Sequence, residues 1–413
     1  MAVRLDKVPP PAKLPASPNA WVWLGLLLLA LLLGMGLTLV LGGQSLGQQP
    51  VTFWGMALGL PLLIWSGLLL VRFMVHLSLL SSAEGWNEAR EADWLAKLRK
   101  GRRSQQVLAI SLYTALREEG DEQGDMQYEA LVGGKSVLKT QPVRGKGEPT
   151  ARHSAMAPVV GESGALLDDA AMLLRLYRQV LSDIAETLQA FPAEQPVTLV
   201  LETDSGVPLA QQQDAWQLAW AESGIRQTPT RLERKGLDAV DHWLDVRITD
   251  PALLLVVALC VAPEPLEDSA EVAVALLLGN RLTQKTVPAV AYLHRPEQEH
   301  GITSETLHYA ARQALDWVPL KADALKRLWL VGIPAKRQGD VNTMALELLK
   351  PEPALRDLGA LLGHPGCAAP WAAIAAAVQA ARREGQAQII FSGNVVAESA
   401  LWGAVVMAAP SPQ

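Results

Sequence analysis

The residues best suited to chemistry lie near the end of the chain, where His364 precedes Cys367 by three positions. His364 follows Gly363, and small residues then lead into an Ala-rich helix predicted at Trp371–Arg383. A histidine at a helix N-terminus has its pKa lowered by the helix dipole, so the neutral ring can donate to a developing oxyanion. Cys260 lies inside an apolar run and is expected to be a small buried hydrophobe. The pattern indicates either a catalytic His364–Cys367 pair or a histidine in a simple Pro- and Gly-containing turn.

A second group of possible ligands follows a predicted strand, and it consists of His294, Glu297, Glu299 and His300. Imidazoles and carboxylates are common zinc ligands. The local sequence PEQEH is polar throughout, however, and favours a solvated loop. We expect no metal and no cofactor.

These residues must be positioned by alternating helices and apolar strands. The strongest helix is predicted at Leu166–Leu188, and Arg117–Arg152 is predicted as loop with a short strand at Met126–Val132. The predicted strands include Val107–Leu116, Val197–Thr203, Ala252–Ala262, Glu271–Leu278, Val287–Leu293, Leu328–Pro334, Ala387–Ser392 and Leu401–Ala408. Continuous apolar strands are typical of sheets covered on both faces. We therefore predict a layered α/β/α domain over 104–413, in two similar halves at about 104–293 and 294–413.

The N-terminal region has a different character, because Lys, Arg, Asp and Glu are absent between Lys13 and Arg72. Two apolar blocks within Trp21–Val71 each match the roughly 20 residues of a membrane-spanning helix. We predict a disordered cytoplasmic leader at 1–20, a transmembrane hairpin at 21–78 and a separate juxtamembrane helix at 82–103. A cleaved signal peptide is the alternative for the first block, but a second span follows it.

Charge suggests both an orientation and an exclusion. Basic residues flank the two apolar blocks but are missing from the connecting loop Gly42–Pro50. This distribution predicts that both termini and the large domain are cytoplasmic. The net charge of −6 argues against a nucleic-acid partner.

Several short motifs resemble the thiolase and β-ketoacyl synthase superfamily. Gly363-His364-Pro365 is similar to the Gly-His turn before a Gly/Ala-rich helix in those enzymes, and Asp250–Ala262 is similar to the strand after their nucleophile helix. Gly339-Asp340 with Glu347 resembles a segment of their second half. The resemblance covers roughly Val107–Ala409 and implies a thiolase-like fold. It also implies a possible homodimer, as is usual for condensing enzymes.

The resemblance departs from the family at the nucleophile. The family places a cysteine just before the helix predicted at Gly236–Leu244, where this chain has Arg231-Leu232-Glu233-Arg234-Lys235. An acyl-transfer enzyme of this kind needs a thiolate at a helix N-terminus. We therefore expect a degenerate, catalytically inactive domain that is not an enzyme.

The layout of an apolar N-terminus, a long α/β body and a Gly-His-Pro turn resembles the adaptor proteins of type VI secretion lipase effectors. That family implies that the chain lies at a bacterial inner membrane, where it holds a secreted lipase and delivers it to a spike protein. Trp216, Trp220 and Trp243 are candidate protein-binding residues, because tryptophan is enriched at interfaces. The alternatives are a condensing enzyme that uses Cys367 with His364, and a structural scaffold of the inner membrane.

Overall fold

The computed structural model describes residues 3–41, 49–144, 149–160, 166–318, 320–349, 354–394 and 399–410. It contains two compact units, Arg4–Leu98 and a larger unit formed by Met1–Val3 with Arg99–Gln413. The loop predicted between the apolar blocks falls outside the described residues up to position 48.

The smaller unit is built on two apolar helices. Helix α1 spans Ala20–Leu41, and α2 spans Pro50–Gly101 with a π-helical turn at Gly55–Gly59. Both helices are long and apolar enough to cross a membrane, with mean hydropathies of 2.7 and 2.0 over their most apolar segments. Side chains in those segments are not buried within the protein, which suits helices that face lipid. The two helices agree with the predicted hairpin.

Helix α2 is longer than the sequence suggested. It runs without a break through the region where a separate helix was predicted at 82–103, since no proline interrupts it after Pro61. The N-terminal leader also differs from the disordered segment predicted at 1–20. The Asn87 side chain accepts a hydrogen bond from the Ala12 amide at 2.7 Å and donates to its carbonyl at 3.2 Å. The leader is therefore held against α2 at this point.

The two helices of the hairpin are in close contact at Gly34. A Cβ atom on Gly34 would lie 2.2 Å from Cγ of Pro61 and 2.6 Å from the Ala57 carbonyl oxygen, so only glycine fits. Nearer the other end, the Trp65 indole donates to the Trp23 carbonyl at 2.9 Å. A small residue at the crossing and one interhelical hydrogen bond are usual means of joining helices in lipid.

The larger unit begins with β1 and continues through a first half of seven strands and four helices. In chain order the elements are β1 (Ser104–Thr114), α3 (Asp125–Gly133), β2 (Lys139–Pro142), β3 (Thr150–His153), α4 (Asp169–Gln189), β4 (Val197–Asp204), α5 (Leu209–Glu222), β5 (Pro229–Arg231), α6 (Gly236–Val246), β6 (Leu253–Cys260) and β7 (Val272–Gly279). The other four strands predicted in this half appear, but the strand predicted at Met126–Val132 is wrong because that segment lies in helix α3.

The second half is shorter. Its elements are β8 (Ala291–His294), β9 (Glu297–Gln298), α7 (Ser304–Asp316), β10 (Leu325–Val331), α8 (Gln338–Leu348), β11 (Ala354–Asp357), α9 (Leu358–Leu362), α10 (Ala369–Glu384), β12 (Ala387–Ser392) and β13 (Trp402–Ala408). A 3-10 turn at Gly366–Ala368 leads directly into α10.

All strands except β2 and β3 form one mixed sheet, in the order β11-β10-β12-β13-β8-β1-β7-β6-β4-β5, with β9 beside β13. Strand β4 is parallel to β5 and β6, while β7 is antiparallel to both β6 and β1. Strands β10, β11, β12, β13 and β8 repeat this arrangement. The halves meet where β1 runs antiparallel to β8, with Gln105 opposite Leu293. The second half of the repeat therefore begins between Gly279 and Ala291, whereas the sequence placed the boundary at about 293.

Each face of the sheet is covered by helices. Helices α4 and α5 pack over one apolar cluster, and α6 and α10 pack over the other. Every residue of β6 and β7 is buried, which explains why these strands are apolar throughout. Asp168 caps the N-terminus of helix α4. Its side chain accepts a hydrogen bond from the Ala171 amide, an N–H of the first turn that has no partner within the helix. The predicted layered α/β/α fold is confirmed.

Candidate functional site

The carboxyl ends of the parallel strands β4 and β6 define the candidate site. Strand β4 ends at Asp204 and β6 ends at Cys260, directly opposite each other in register. The 3-10 turn before α10 lies over these two strand ends and carries Cys367. Open α/β sheets bind ligands beyond the carboxyl ends of their strands, so this is the part of the larger unit in which a site is expected.

The Gly363-His364 turn is held tightly against the loop before β7. The His364 amide donates to the Asp268 carbonyl at 2.7 Å, and the Ala270 amide donates to the His364 carbonyl at 3.0 Å. Gly363 has φ +102°, and a Cβ there would lie 2.6 Å from the Ser269 carbonyl oxygen. Helix α10 starts only at Ala369, so His364 precedes the helix by more than a turn instead of capping it. The expected effect of the helix dipole on this ring is correspondingly weaker.

The imidazole of His364 is half-buried. Its Nδ1 atom is enclosed and has no hydrogen-bond partner among the described residues. Gly359 of α9 lies near this edge of the ring, since a Cβ there would be 4.0 Å from Nδ1. An unpartnered buried nitrogen is uncommon and marks the ring as a group that could serve a ligand or water.

Cys367 lies beneath this turn with its sulfur directed into the sheet. The thiol donates to the Leu259 carbonyl at 3.5 Å. Burial raises the pKa of the Cys367 thiol, and the nearby carboxylates of Glu202 and Asp204 raise it further. Reactive cysteines lie in the opposite environment, where positive charge lowers the thiol pKa. Cys260, as predicted, is fully buried, and burial likewise raises its pKa.

Glu202 is a site residue that the sequence analysis missed. Its side chain on β4 accepts from the Gly236 amide at 2.6 Å and from the Trp371 indole at 3.3 Å. The residue is 6% exposed, and this burial raises the pKa of its carboxyl group. The carboxylate thus occupies the N-terminus of α6, next to the segment where the family resemblance places a nucleophile. An isolated Glu in the apolar strand VTLVLETD was the available signal.

Asp204 is the second buried acid of the site. Burial raises the pKa of its carboxyl group. Gly366, with φ +48°, passes so close that a Cβ there would lie 2.1 Å from Oδ2 of Asp204. The turn that carries Cys367 can therefore approach β4 only because position 366 is glycine.

The three tryptophans predicted to bind protein have different environments. Trp216 and Trp220 are half-buried on α5, with ring centroids 5.4 Å apart. Trp243 is 2% exposed and belongs to the core between α6 and the sheet. Its assignment as a surface residue is wrong, because α6 turns this face towards the sheet.

Of the four residues considered as metal ligands, Glu297 and His300 meet, with Oε1 and Nε2 3.4 Å apart, but the four do not form one group. Glu297 is 1% exposed and accepts from the Trp317 indole, while Glu299, 3% exposed, pairs with Arg337. Burial lowers the pKa of His294 to about 4. Within the described ranges, no three His, Cys, Asp or Glu side chains are grouped to hold a metal ion. The solvated loop predicted for PEQEH is also wrong, since its carboxylates are internal partners for buried donors.

The fold has known counterparts among solved structures. The chain is similar to the ketosynthase from module 1 of the bacillaene synthase of Bacillus amyloliquefaciens FZB42, with a TM-score of 0.53 and 10% identity over 76% of this chain and 74% of that one. It is also similar to an oxazolomycin ketosynthase domain of Streptomyces albus JA3453, at TM-score 0.52 and 12% identity over 75% and 76% of the two chains. The ishigamide ketosynthase/chain length factor matches at TM-score 0.52 and 12% identity, over 74% of this chain and all of that one. No family model and no curated protein matches the sequence.

These likenesses correct one expectation. The absence of a cysteine before α6 suggested that the chain is not an enzyme. The structures it matches are ketosynthases, which are enzymes, so that conclusion is contradicted and the missing cysteine does not establish inactivity. At 10–12% identity the comparisons show that the larger unit has the thiolase-like ketosynthase fold.

Proposed function

We propose that this chain is a membrane-anchored adaptor whose ketosynthase-fold domain binds a protein cargo. The cargo is a secreted lipase effector, which the chain hands to the spike of a type VI secretion apparatus. The large domain lies on the cytoplasmic side of a bacterial inner membrane. The combination of an apolar hairpin with a ketosynthase-fold domain supports the anchor, and the sequence resemblance supports the class of cargo.

The observation that carries the proposal is the apolar side of helix α5, where two tryptophans are half-buried. Trp216 packs edge-on against the core residue Tyr177 at 5.4 Å, and Trp220 packs beside Trp216. Leu209, seven residues before Trp216 and so on the same side of the helix, is 68% exposed. Rigid aromatic rings on the same side as an exposed leucine provide a surface from which a partner can exclude water.

The exposed Leu209 allows a sharp test, because it can be changed without disturbing the core. Leu209→Glu places a charge on the side of α5 that carries the tryptophans, and we expect it to weaken capture of a purified lipase effector by the full chain in detergent at least tenfold. A charge left unpaired at an interface core costs more than the ~1.4 kcal/mol that a tenfold loss requires.

Leu346→Glu is the matched control, since Leu346 is 56% exposed on α8 in the other half. It should bind like the wild type. Equal retention of the effector by both variants, or no retention by the wild type at micromolar concentration, would refute the α5 surface as the docking site.

A second candidate function is acyl transfer through Cys367 with His364. The likeness to ketosynthases favours it, as does the unpartnered Nδ1 of His364 beside the turn that carries the thiol. Incubation with an acyl-CoA followed by intact-protein mass spectrometry tests it directly. An acyl adduct lost in Cys367→Ser and kept in Cys260→Ser would support the enzyme, whereas no adduct at pH 7–9 would exclude acylation of Cys367.

A further inference from the structure

The apolar hairpin contains a groove between its two helices. The groove has a volume of about 620 Å³ and is lined by Trp23, Leu26 and Leu29 of α1 and by Trp65, Leu68 and Arg72 of α2, among others. A second groove of about 430 Å³ shares Ala30, Leu33 and Ile64 with the first. The two therefore form one furrow, which we call the hairpin furrow.

Arg72 is the charged residue of this furrow, which continues past it to Val75 and Leu79. All the other residues along both grooves are uncharged. Within the described part of the chain, Arg72 makes no ion pair and no side-chain hydrogen bond. An ionisable side chain on an apolar helix is costly unless something pairs with it. A guanidinium without a protein partner in an apolar furrow points to an anionic ligand with an apolar body.

Two tryptophans line the groove that contains Arg72. Trp23 lies in the first turn of α1, at the end of the apolar span, and its carbonyl accepts a hydrogen bond from the Trp65 indole. Tryptophan rings concentrate at the depth of lipid headgroups. The groove that contains Arg72 therefore reaches the depth at which a lipid phosphate would be found.

The length of the furrow fits a lipid chain. From Arg72 to Met56 the helix advances 16 residues, which corresponds to ~24 Å at a rise of ~1.5 Å per residue. One leaflet of a bilayer contributes about half of a ~30 Å hydrocarbon core. An acyl chain that starts at the level of Arg72 can thus lie inside the furrow over its whole length.

We propose that the hairpin furrow is a binding site for one anionic phospholipid. Its phosphate pairs with the Arg72 guanidinium, whose planar donors match two phosphate oxygens, and an acyl chain fills the groove between α1 and α2. The site is independent of what the larger unit binds.

Native mass spectrometry of the full chain in a mild detergent tests the site, with phosphatidylglycerol and phosphatidylcholine as probes. We expect the wild type to retain one phosphatidylglycerol at least tenfold more strongly than phosphatidylcholine. Both lipids carry a phosphate, but the quaternary ammonium of phosphatidylcholine neutralises it, so only phosphatidylglycerol offers Arg72 a net negative charge. Arg72→Gln should therefore abolish this preference, since a tenfold difference corresponds to an interaction of only ~1.4 kcal/mol. Ala30→Phe, at the point shared by both grooves, should reduce the binding of both lipids.

The matched control is Arg99→Gln, an exposed arginine of the same helix that does not line the furrow. It should bind both lipids like the wild type, and the thermal unfolding of Arg72→Gln should be unchanged. Equal binding of the two lipids by the wild type would overturn the proposal. A phosphatidylglycerol preference that survives in Arg72→Gln, or a dimer whose second copy fills the furrow, would overturn it as well.

Discussion

Glu202 is a single residue that connects three elements of the candidate site. Its carboxylate lies on β4, receives the first amide of α6 and receives the indole of Trp371 on α10. A helix N-terminus stabilises a negative charge, whereas burial in an apolar layer destabilises it. Burial has the larger effect here, since the pKa of Glu202 is raised.

A pH-dependent stability follows from that shift. The folded state holds the Glu202 proton above the ordinary pKa of 4.5, so the free energy of unfolding falls as pH rises from 4.5 through the raised pKa. Glu202→Gln removes this contribution. Across that pH range the free energy of unfolding of the variant should therefore rise relative to that of the wild type, as measured by urea unfolding at a series of pH values. Asp214→Asn, an exposed acid on α5, is the control and should run parallel to the wild type. Parallel curves for Glu202→Gln would contradict the assigned shift.

Gly366 is the second residue whose identity the site requires. Both Gly366 and Gly385 have positive φ, but a Cβ would meet another atom within 4 Å only at Gly366, where it would contact the Asp204 carboxylate. Because the backbone is left-handed at both positions, alanine at either one should lower the free energy of unfolding by about 1–2 kcal/mol. Gly366→Ala should lose roughly 1–3 kcal/mol more from overpacking. Chemical unfolding of the two variants measures the difference, and equal losses would show that the turn can move away from β4.

At the scale of elements, the sequence pattern predicted regular structure better than it predicted burial. The apolar strands β6, β7 and β12 and the amphipathic helix α4 were recognised because their periodicity is local. Helix α3 was missed because its buried residues are Gln127, Tyr128 and Leu131, and Gln127 is there to bond with Thr114. That requirement arises only after the chain folds.

The site residues were also predicted correctly where the signal is local and missed where it is not. The turn at Gly363 and the buried Cys260 followed from short motifs. Glu202 was missed because its partners come from α6 and α10, and Trp243 was misassigned because it packs against sheet strands that are distant in sequence. The isolated Glu in VTLVLETD marks an unusual position, but no local pattern identifies its partners.

Helix α10 is tied to its neighbours by Glu384, which gives a prediction at this scale. Glu384 accepts from Tyr128 of α3 at 2.6 Å and pairs with Arg327 of β10. Although partial burial opposes the charge, these hydrogen bonds lower the pKa of Glu384. Its stabilising effect is therefore full above the ordinary pKa of 4.5 and is lost as pH falls through the lowered value.

Glu384→Gln should destabilise the protein by about 1–3 kcal/mol at pH 7, since it leaves Arg327 buried without its carboxylate. The loss should shrink as the pH is lowered below 4.5. Glu347→Gln provides a comparison, because its side chain is 64% exposed beside His308 and its loss should have little effect. A Glu384→Gln penalty that is the same at pH 3 and pH 7 would argue against the charged pair.

At the scale of the whole molecule, the candidate site belongs to both halves of the repeat. The first half supplies Glu202 and Asp204, and the second supplies His364, Cys367 and Trp371. The two halves share one strand arrangement, but their helices carry different side chains into it. A site formed in this way can retain its backbone while its chemistry changes, which is why fold and function must be tested separately.

The arrangement of charge along the whole chain leads to a final prediction, on topology. Basic residues lie before α1 and from Arg72 onwards, but the loop 42–50 has none, so only this loop should cross to the outside. Ser45→Cys should react with a membrane-impermeant maleimide in intact cells with a permeable outer layer. Ser136→Cys, at an exposed position in the larger unit, should react only after lysis. Cys260 and Cys367 contribute little background, because burial raises the pKa of both thiols and keeps them in the unreactive form.

Labelling of Ser136→Cys in intact cells would reverse the orientation, and labelling of neither site before lysis would show that the hairpin does not cross the membrane.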